Sequence, residues 1–141
     1  INEALVREVA DALVDSGMAA AGYQYVVLDD CWMEKRDDQG HIVPFATKFP
    51  SGMRALGDYI HARGLKFGIY SNAGRHTCEG YPGSWDSEVE DAQSYAAWGV
   101  DYLKYDFCDT TGLPGTPRDI YSRMSAALNA TGRPIIFSLC N

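Results

Sequence analysis

The sequence predicts an α/β protein in the order α-β-α-β-α-β-α-β, forming part of a (β/α)8 barrel. Three observations carry this. Helical and strand-like runs alternate along the 141 residues, and such alternation gives a parallel sheet with helices packed outside it. The strand runs lack the polar alternation of a half-exposed sheet, as in strands covered on both faces. Ionisable residues gather where strands end, at Asp29-Asp30 and at Lys104 and Asp106, and barrels carry their chemistry at the C-terminal strand ends.

Glu3 to Ser16 reads as a helix, because Val6, Val9, Ala10 and Leu13 recur at spacings of three and four. Asn2 can cap it and Gly17 can end it. Tyr23 to Asp29 is the first strand. The segment from Cys31 to Lys48 is long for a strand-to-helix loop, and its Asp37-Asp38-Gln39-Gly40 turn predicts a hairpin-like excursion. Ser51 is the expected cap of a helix over Gly52 to Ala62, with Met53, Leu56 and Ile60 inside. Leu65 to Tyr70 is the second strand, followed by a glycine-rich loop from Ser71 to Trp85. Ser87 with Glu90 forms an expected capping box, with Asp86 the alternative cap, for a helix that buries Val89, Ala92 and Ala96 and stops at Gly99. Val100 to Asp106 is the third strand. Thr116-Pro117 starts a helix with Ile120, Met124, Ala127 and Leu128 inside, and Gly132 stops it. Ile135 to Leu139 is the last strand.

Tyr25, Lys66, Tyr102 and Ile135 mark these strands at nearly even spacing, which favours a barrel over a doubly wound sheet. No glycine-rich phosphate fingerprint follows the first strand. A whole barrel takes about 250 residues. Residues 1–141 are therefore expected to be one partial barrel domain, roughly its second to fifth strands, with no second domain.

The composition is globular, 46% apolar and 22% charged, with a net charge of -7. Without a basic cluster this argues against nucleic acid as a partner. No run is long and apolar enough for a membrane span, and no signal peptide is visible. Cys31, Cys78, Cys108 and Cys140 show no CxxC spacing, and the three histidines are scattered, so neither a zinc knuckle nor a His-rich metal site is expected. The cysteines fall at one edge of the sheet, where they could pair or stay reduced; pairing would imply an oxidising compartment.

Asp29, Asp30, Tyr70, Lys104 and Asp106 are the candidate polar groups. Lys104 and Asp106 share a strand face, and a lysine at the base of a barrel mouth needs a carboxylate beside it, for which Asp106 is the expected partner. Asp29 and Asp30 suit the hydroxyls of a sugar. Trp32, Tyr70, Tyr81 and Trp85 are expected to give the rim aromatic surface, or else to be loop core. These materials suit glycoside hydrolysis, with Asp106 as one carboxylate of the pair. They equally suit an enolase-like metal site or a Lys104 Schiff base.

Leu28-Asp29-Asp30-Cys31-Trp32, Gly68-Ile69-Tyr70-Ser71, Thr77-Cys78-Glu79-Gly80 within Gly74 to Gly83, and Trp98 through Asp106 closely resemble the α-galactosidase (melibiase) family of retaining glycoside hydrolases, which also holds α-N-acetylgalactosaminidases. The likeness runs over essentially the whole chain. It implies Asp106 as the nucleophile, with Lys104, Asp29, Asp30, Tyr70, Cys78 and, more weakly, Asn141 binding the sugar. It implies a Cys78–Cys108 disulfide, partners outside the chain for Cys31 and Cys140, and an N-glycosylation acceptor at Asn129 in the loop after a helix. The acid/base carboxyl would lie beyond Asn141, so the piece alone should be inactive.

The implied activity is hydrolysis of terminal α-D-galactosyl residues with retention, on a galactosyl oligosaccharide or glycoconjugate, without a cofactor. The alternatives are an α-N-acetylgalactosaminidase, a β-L-arabinopyranosidase or a non-catalytic galactoside-binding protein. The implied compartment is secreted, lysosomal, vacuolar or periplasmic. An open half barrel also predicts association as a homodimer. Two positions depart from the family pattern: Phe107, directly after Asp106, and the bulky Trp85.

Overall fold

Four parallel strands lie side by side in the order in which the chain makes them. The computed structural model describes residues 1–140. The elements are α1 (Glu3–Asp15), β1 (Tyr25–Val27), β2 (Met33–Arg36), β3 (Ile42–Pro44), α2 (Gly52–Ala62), β4 (Lys66–Asn72), α3 (Glu88–Ala97), β5 (Tyr102–Asp106), α4 (Pro117–Ala130) and β6 (Ile136–Leu139). The main sheet runs β1-β4-β5-β6, parallel at every pairing. A doubly wound sheet reverses its strand order at a switch point. This sheet steps one way throughout, as a barrel wall does.

The helix-facing side of the sheet is the core. Phe67, Ile69, Leu103 and Tyr105 are fully buried there, with Leu56 and Ile60 of α2, Tyr95 of α3 and Met124 of α4. The other face is arranged in register rows. Val27, Gly68, Tyr102 and Ile136 form one row; Tyr70, Lys104 and Ser138 form the next; Asn72 and Asp106 stand level beyond it. Gly68 belongs to this packing, because a Cβ there would lie 2.7 Å from a Val27 methyl. Tyr25 stacks edge-on against Tyr102 at 5.8 Å, yet Tyr25 is 42% and Ile136 50% exposed. Exposure thus alternates along β1 and β5, although the sequence lacks polar alternation. Among the described residues no strand stands opposite this inner face.

The expected hairpin-like excursion after β1 is an antiparallel hairpin, β2 with β3, with a register shift between Met33 and Lys35. It is closed by Asp37, whose carboxylate accepts from the backbone N–H groups of Gln39 and His41, and tied to α3 by a bidentate Arg36–Asp91 pair at 2.7 and 2.8 Å. The expected stripe through Val89 is corrected: Val89 is exposed, and α3 buries Ala92 and Tyr95 with two paired acids, Asp91 on Arg36 and Glu88 on Arg123. Val9 of α1 is also exposed; only Val6 and Ala10 of its apolar residues are buried. Asn2 caps α1 through Leu5 N–H, and Thr116 forms a capping box with Asp119. Ser51 and Ser87 make no side-chain cap bond. The Ser51 N–H donates instead to buried Glu3, joining α1 to the start of α2.

Candidate active site

Strand register brings together what the sequence separates by up to 77 positions. Asp29 and Asp30 follow β1, Tyr70 lies on β4, and Lys104 and Asp106 lie on β5 level with Tyr70 and Asn72 respectively. All sit towards the C-terminal ends of the strands. Lys104 Nζ lies above the Tyr70 ring, 5.2 Å from its centroid, and donates to Asp29 Oδ2 at 2.8 Å and Oδ1 at 3.1 Å. The ion pair therefore spans β4, and the expected Lys104–Asp106 pairing is corrected: neighbours two apart on a strand stand about 6.5 Å apart along it, and the long lysine reaches sideways instead. The Asp29 contact raises the Lys104 pKa against burial. Burial pushes the Asp29 carboxyl up, but Lys104 and the Asp30 N–H outweigh it and hold it below the usual value.

The neighbouring carboxylates are held differently. Asp30 turns towards the loops, accepting from the N–H groups of Cys31 at 2.7 Å and Glu79 at 3.2 Å. Asp106 Oδ1 accepts from the Phe107 N–H at 3.0 Å. Among the described residues its Oδ2 has only the Tyr70 hydroxyl, at 3.4 Å, and Cys78 Sγ, also at 3.4 Å. Cys78 and Cys108 form a disulfide, so that sulfur has no proton to donate and its contact with Asp106 is van der Waals. Cys78, Asp106 and Cys108 lie close enough for three metal ligands, but both sulfurs are bonded to each other and offer no thiolate. Burial, together with the charges of Asp30 and Asp106, raises the Tyr70 hydroxyl pKa far above its ordinary value and keeps it a donor.

Asn72, which the sequence reading passed over, holds the disulfide in place. It is fully buried. Its amide donates to the carbonyls of His76 and Cys108 at 2.7 and 2.8 Å and accepts from the Cys108 N–H at 2.7 Å. The signal available was its spacing: 34 residues separate both Tyr70 from Lys104 and Asn72 from Asp106, level pairs in the register. Backbone packing completes the clamp. A Cβ on Gly74 would lie 2.0 Å from the Cys108 carbonyl oxygen, and one on Gly83 would lie 2.1 Å from the Gly74 carbonyl oxygen.

Other expectations fall elsewhere. Of the two expectations for Trp32, core holds: it is fully buried, donates to the Tyr70 carbonyl at 2.8 Å and stacks edge-on with Tyr95 and Trp98. Trp85 carries the Arg123 guanidinium 4.1 Å over its ring, and Phe107 packs on Tyr121 at 5.0 Å. Asn129 is exposed but lies in the last turn of α4, not in the following loop. Cys31 and Cys140 are free thiols among the described residues. Asn141 lies outside the described residues.

The Melibiase_2 family, described as alpha galactosidase A, matches residues 1–141. The chain is 52% identical over 140 residues to an alpha-galactosidase A of Cellvibrio japonicus, covering 99% of this chain and 34% of the relative. It is 56% identical over 142 residues to an alpha-galactosidase of Oryza sativa, at 99% and 34% coverage. It thus spans about a third of the length of these relatives. Among solved structures, an α-galactosidase of Saccharomyces cerevisiae with raffinose superposes with a TM-score of 0.96 at 48% identity, over all of this chain and 32% of that one. A β-L-arabinopyranosidase of Geobacillus stearothermophilus superposes at 0.84 with 25% identity, over all of this chain and 45% of that one. The chain belongs to the alpha galactosidase A family of glycoside hydrolases.

Proposed function

We propose that these residues are the nucleophile side of an α-galactosidase active site, and that the longer protein hydrolyses terminal α-D-galactosides with retention. The observation that carries the reading is Asp106: its Oδ2 faces the mouth with weak contacts only, beside a Lys104–Asp29 pair that can take a sugar hydroxyl as both acceptor and donor. In this reading Asp106 attacks the anomeric carbon and forms a glycosyl ester, which water then cleaves. The acid/base carboxyl comes from outside the 141 residues, so this piece alone does not turn over. Lys104 and Asp29 grip one hydroxyl together. Asp30, fixed by two backbone N–H groups, grips another. Tyr70 donates to Asp106 and, being hard to ionise, never competes with it as a nucleophile.

The substrate class is a galactosyl oligosaccharide of the raffinose kind or a glycoconjugate. The chemistry needs neither metal nor cofactor. A formed Cys78–Cys108 bond fits a secreted, lysosomal, vacuolar or periplasmic setting. Residues 1–141 form roughly the second to fifth strands of the barrel. The remainder of the barrel covers the inner face, whose apolar row holds Val27, Tyr102 and Ile136; in the isolated piece a second copy would do so, giving a homodimer. The resemblance to a β-L-arabinopyranosidase keeps a second reading, in which the sugar lacks the C6 hydroxymethyl group, but relatives at about twice the identity favour galactose.

The test is covalent trapping of the complete enzyme with a 2-deoxy-2-fluoro galactosyl fluoride, followed by peptide mass spectrometry. A label on Asp106 is expected. Turnover of an aryl α-galactoside with no label on Asp106 would place the nucleophile elsewhere or make the reaction inverting.

A further inference from the structure

The one firm bond on the Asp106 carboxylate comes from its own chain. Its Oδ1 accepts from the Phe107 N–H at 3.0 Å, while among the described residues Oδ2 has only contacts of 3.4 Å. The direction of the carboxylate therefore depends on what holds the backbone just after it. That backbone has left the sheet, because the register of β4 with β5 ends at Asn72 and Asp106. Two residues at the end of β4 carry the support further. The Ala73 N–H donates to the Asp106 carbonyl at 2.9 Å. The Asn72 side-chain amide takes both polar groups of Cys108, accepting from its N–H at 2.7 Å and donating to its carbonyl at 2.8 Å. Three successive peptide groups are thus held, and the second and third depend on one side chain. Asn72 is fully buried, and its other amide hydrogen is fixed on the His76 carbonyl at 2.7 Å. A primary amide offers two donors and an acceptor on one small plane, which is what these three groups require. The same two loops are also tied at the surface, where the exposed His76 Nδ1 lies 2.7 Å from Asp109 Oδ2.

We infer that Asn72 is a positioning residue for the nucleophile: by fixing the backbone at Cys108 it keeps the Phe107 N–H on Asp106 Oδ1 and leaves Oδ2 turned to the mouth. This rests on the proposed role of Asp106. The Asn72 amide spends its hydrogen bonds on His76 and Cys108 and none on Lys104, Asp29 or Asp30. Its loss should slow attack without loosening the grip on the sugar.

The test uses the complete enzyme and the 2-deoxy-2-fluoro galactosyl fluoride trap, whose limiting rate constant kinact reads attack by Asp106 and whose KI reads binding. Only molecules that label are counted, so loss of folded protein does not enter kinact. Asn72→Leu, close in size but without hydrogen bonds, should lower kinact roughly 10²-fold, the scale of a displacement of about 1 Å at a reacting group. Asn72→Ser, which keeps a hydroxyl, should lower it less. KI and inhibition by galactose should stay within about threefold, less than the loss of one hydrogen bond. His76→Gln, which cuts the surface tie between the same loops, should leave kinact unchanged. If Asn72→Leu does not fold, Asn72→Ser decides alone. An unchanged kinact in the variants that fold, a KI that rises in step with the fall in kinact, or an equal fall in His76→Gln overturns the assignment to Asn72. Turnover of an aryl α-galactoside by the unaltered enzyme with no label on Asp106 overturns the proposed nucleophile, and this inference with it.

Discussion

An aspartate stands at each end of β5, and the two are held in opposite ways. Asp101, just before the strand, is held from three sides. Its carboxylate accepts from His61 Nε2 at 2.7 Å, the Phe67 N–H at 2.9 Å and the Arg133 guanidinium at 2.8 Å. Asp106, the last residue of the strand, makes one firm bond, to the N–H of its own neighbour. Carboxylates offer about four acceptor sites each. The first uses most of its capacity to link α2, β4 and the approach to β6; the second keeps most of its capacity for something that arrives. Chemical type does not separate a structural acid from the proposed nucleophile here. Unused hydrogen-bonding capacity at the C-terminal end of the sheet does.

The hardest way to break this contrast is to remove the unsatisfied acid. In the complete enzyme Asp106→Asn should lower kcat roughly 10⁴-fold or more on an aryl α-galactoside, with little change in the thermal midpoint. If midpoint and rate fall together, Asp106 is as structural as Asp101. Next comes Lys104→Met, which leaves Asp29 without its cation. A loss of about 10²-fold in kcat/KM is expected, together with weaker inhibition by galactose. Unaltered galactose inhibition would remove Lys104 from the binding role.

The reciprocal change is Asp101→Ala. It strands Arg133 and His61, at a cost of about 2–3 kcal/mol in urea unfolding, while kcat of the folded fraction stays within about threefold, below the ~1 kcal/mol scale of a lost hydrogen bond. The smallest effect is in pH. Burial raises the Asp101 carboxyl, but the hydrogen bonds from His61 and Phe67 and the charge of Arg133 outweigh it, so its folded pKa lies below the ordinary 3.8. A depressed carboxyl pKa gives stability that is present above the unfolded value and lost as the pH falls through the folded one. The stability curves of the unaltered enzyme and Asp101→Asn should therefore differ most above pH 3.8 and converge on acidification. Parallel curves would mean that the charge of Asp101 is not what the site uses.

The sequence made legible whatever is written locally. Thr116-Pro117 announces α4, the bounds of α2 fall where expected at Gly52 and Ala62, and the acids stand where the strands stop. What it could not show is lateral. The partner of Lys104 lies on the far side of β4, 75 residues away, and only the strand register reveals that β4 comes between. For Trp32 the sequence leaves rim and loop core open. Cys31 takes a left-handed φ of 75°, and Trp32 is packed into the core. Asn72 carries no motif at all, and its importance appears only when three separate carbonyl and N–H groups are found around one amide.

The backbone contact of Gly74 with Cys108 and of Gly83 with Gly74 has a genetic consequence. In a saturation library selected for activity, both columns should be nearly as intolerant as that of Asp106, since a Cβ at either would press main chain against main chain beside the disulfide. A map of mutational intolerance would then rank two side-chain-free positions beside the proposed nucleophile. Sorting the same library first for secretion or folding would deplete the glycine variants and leave those at Asp106 behind.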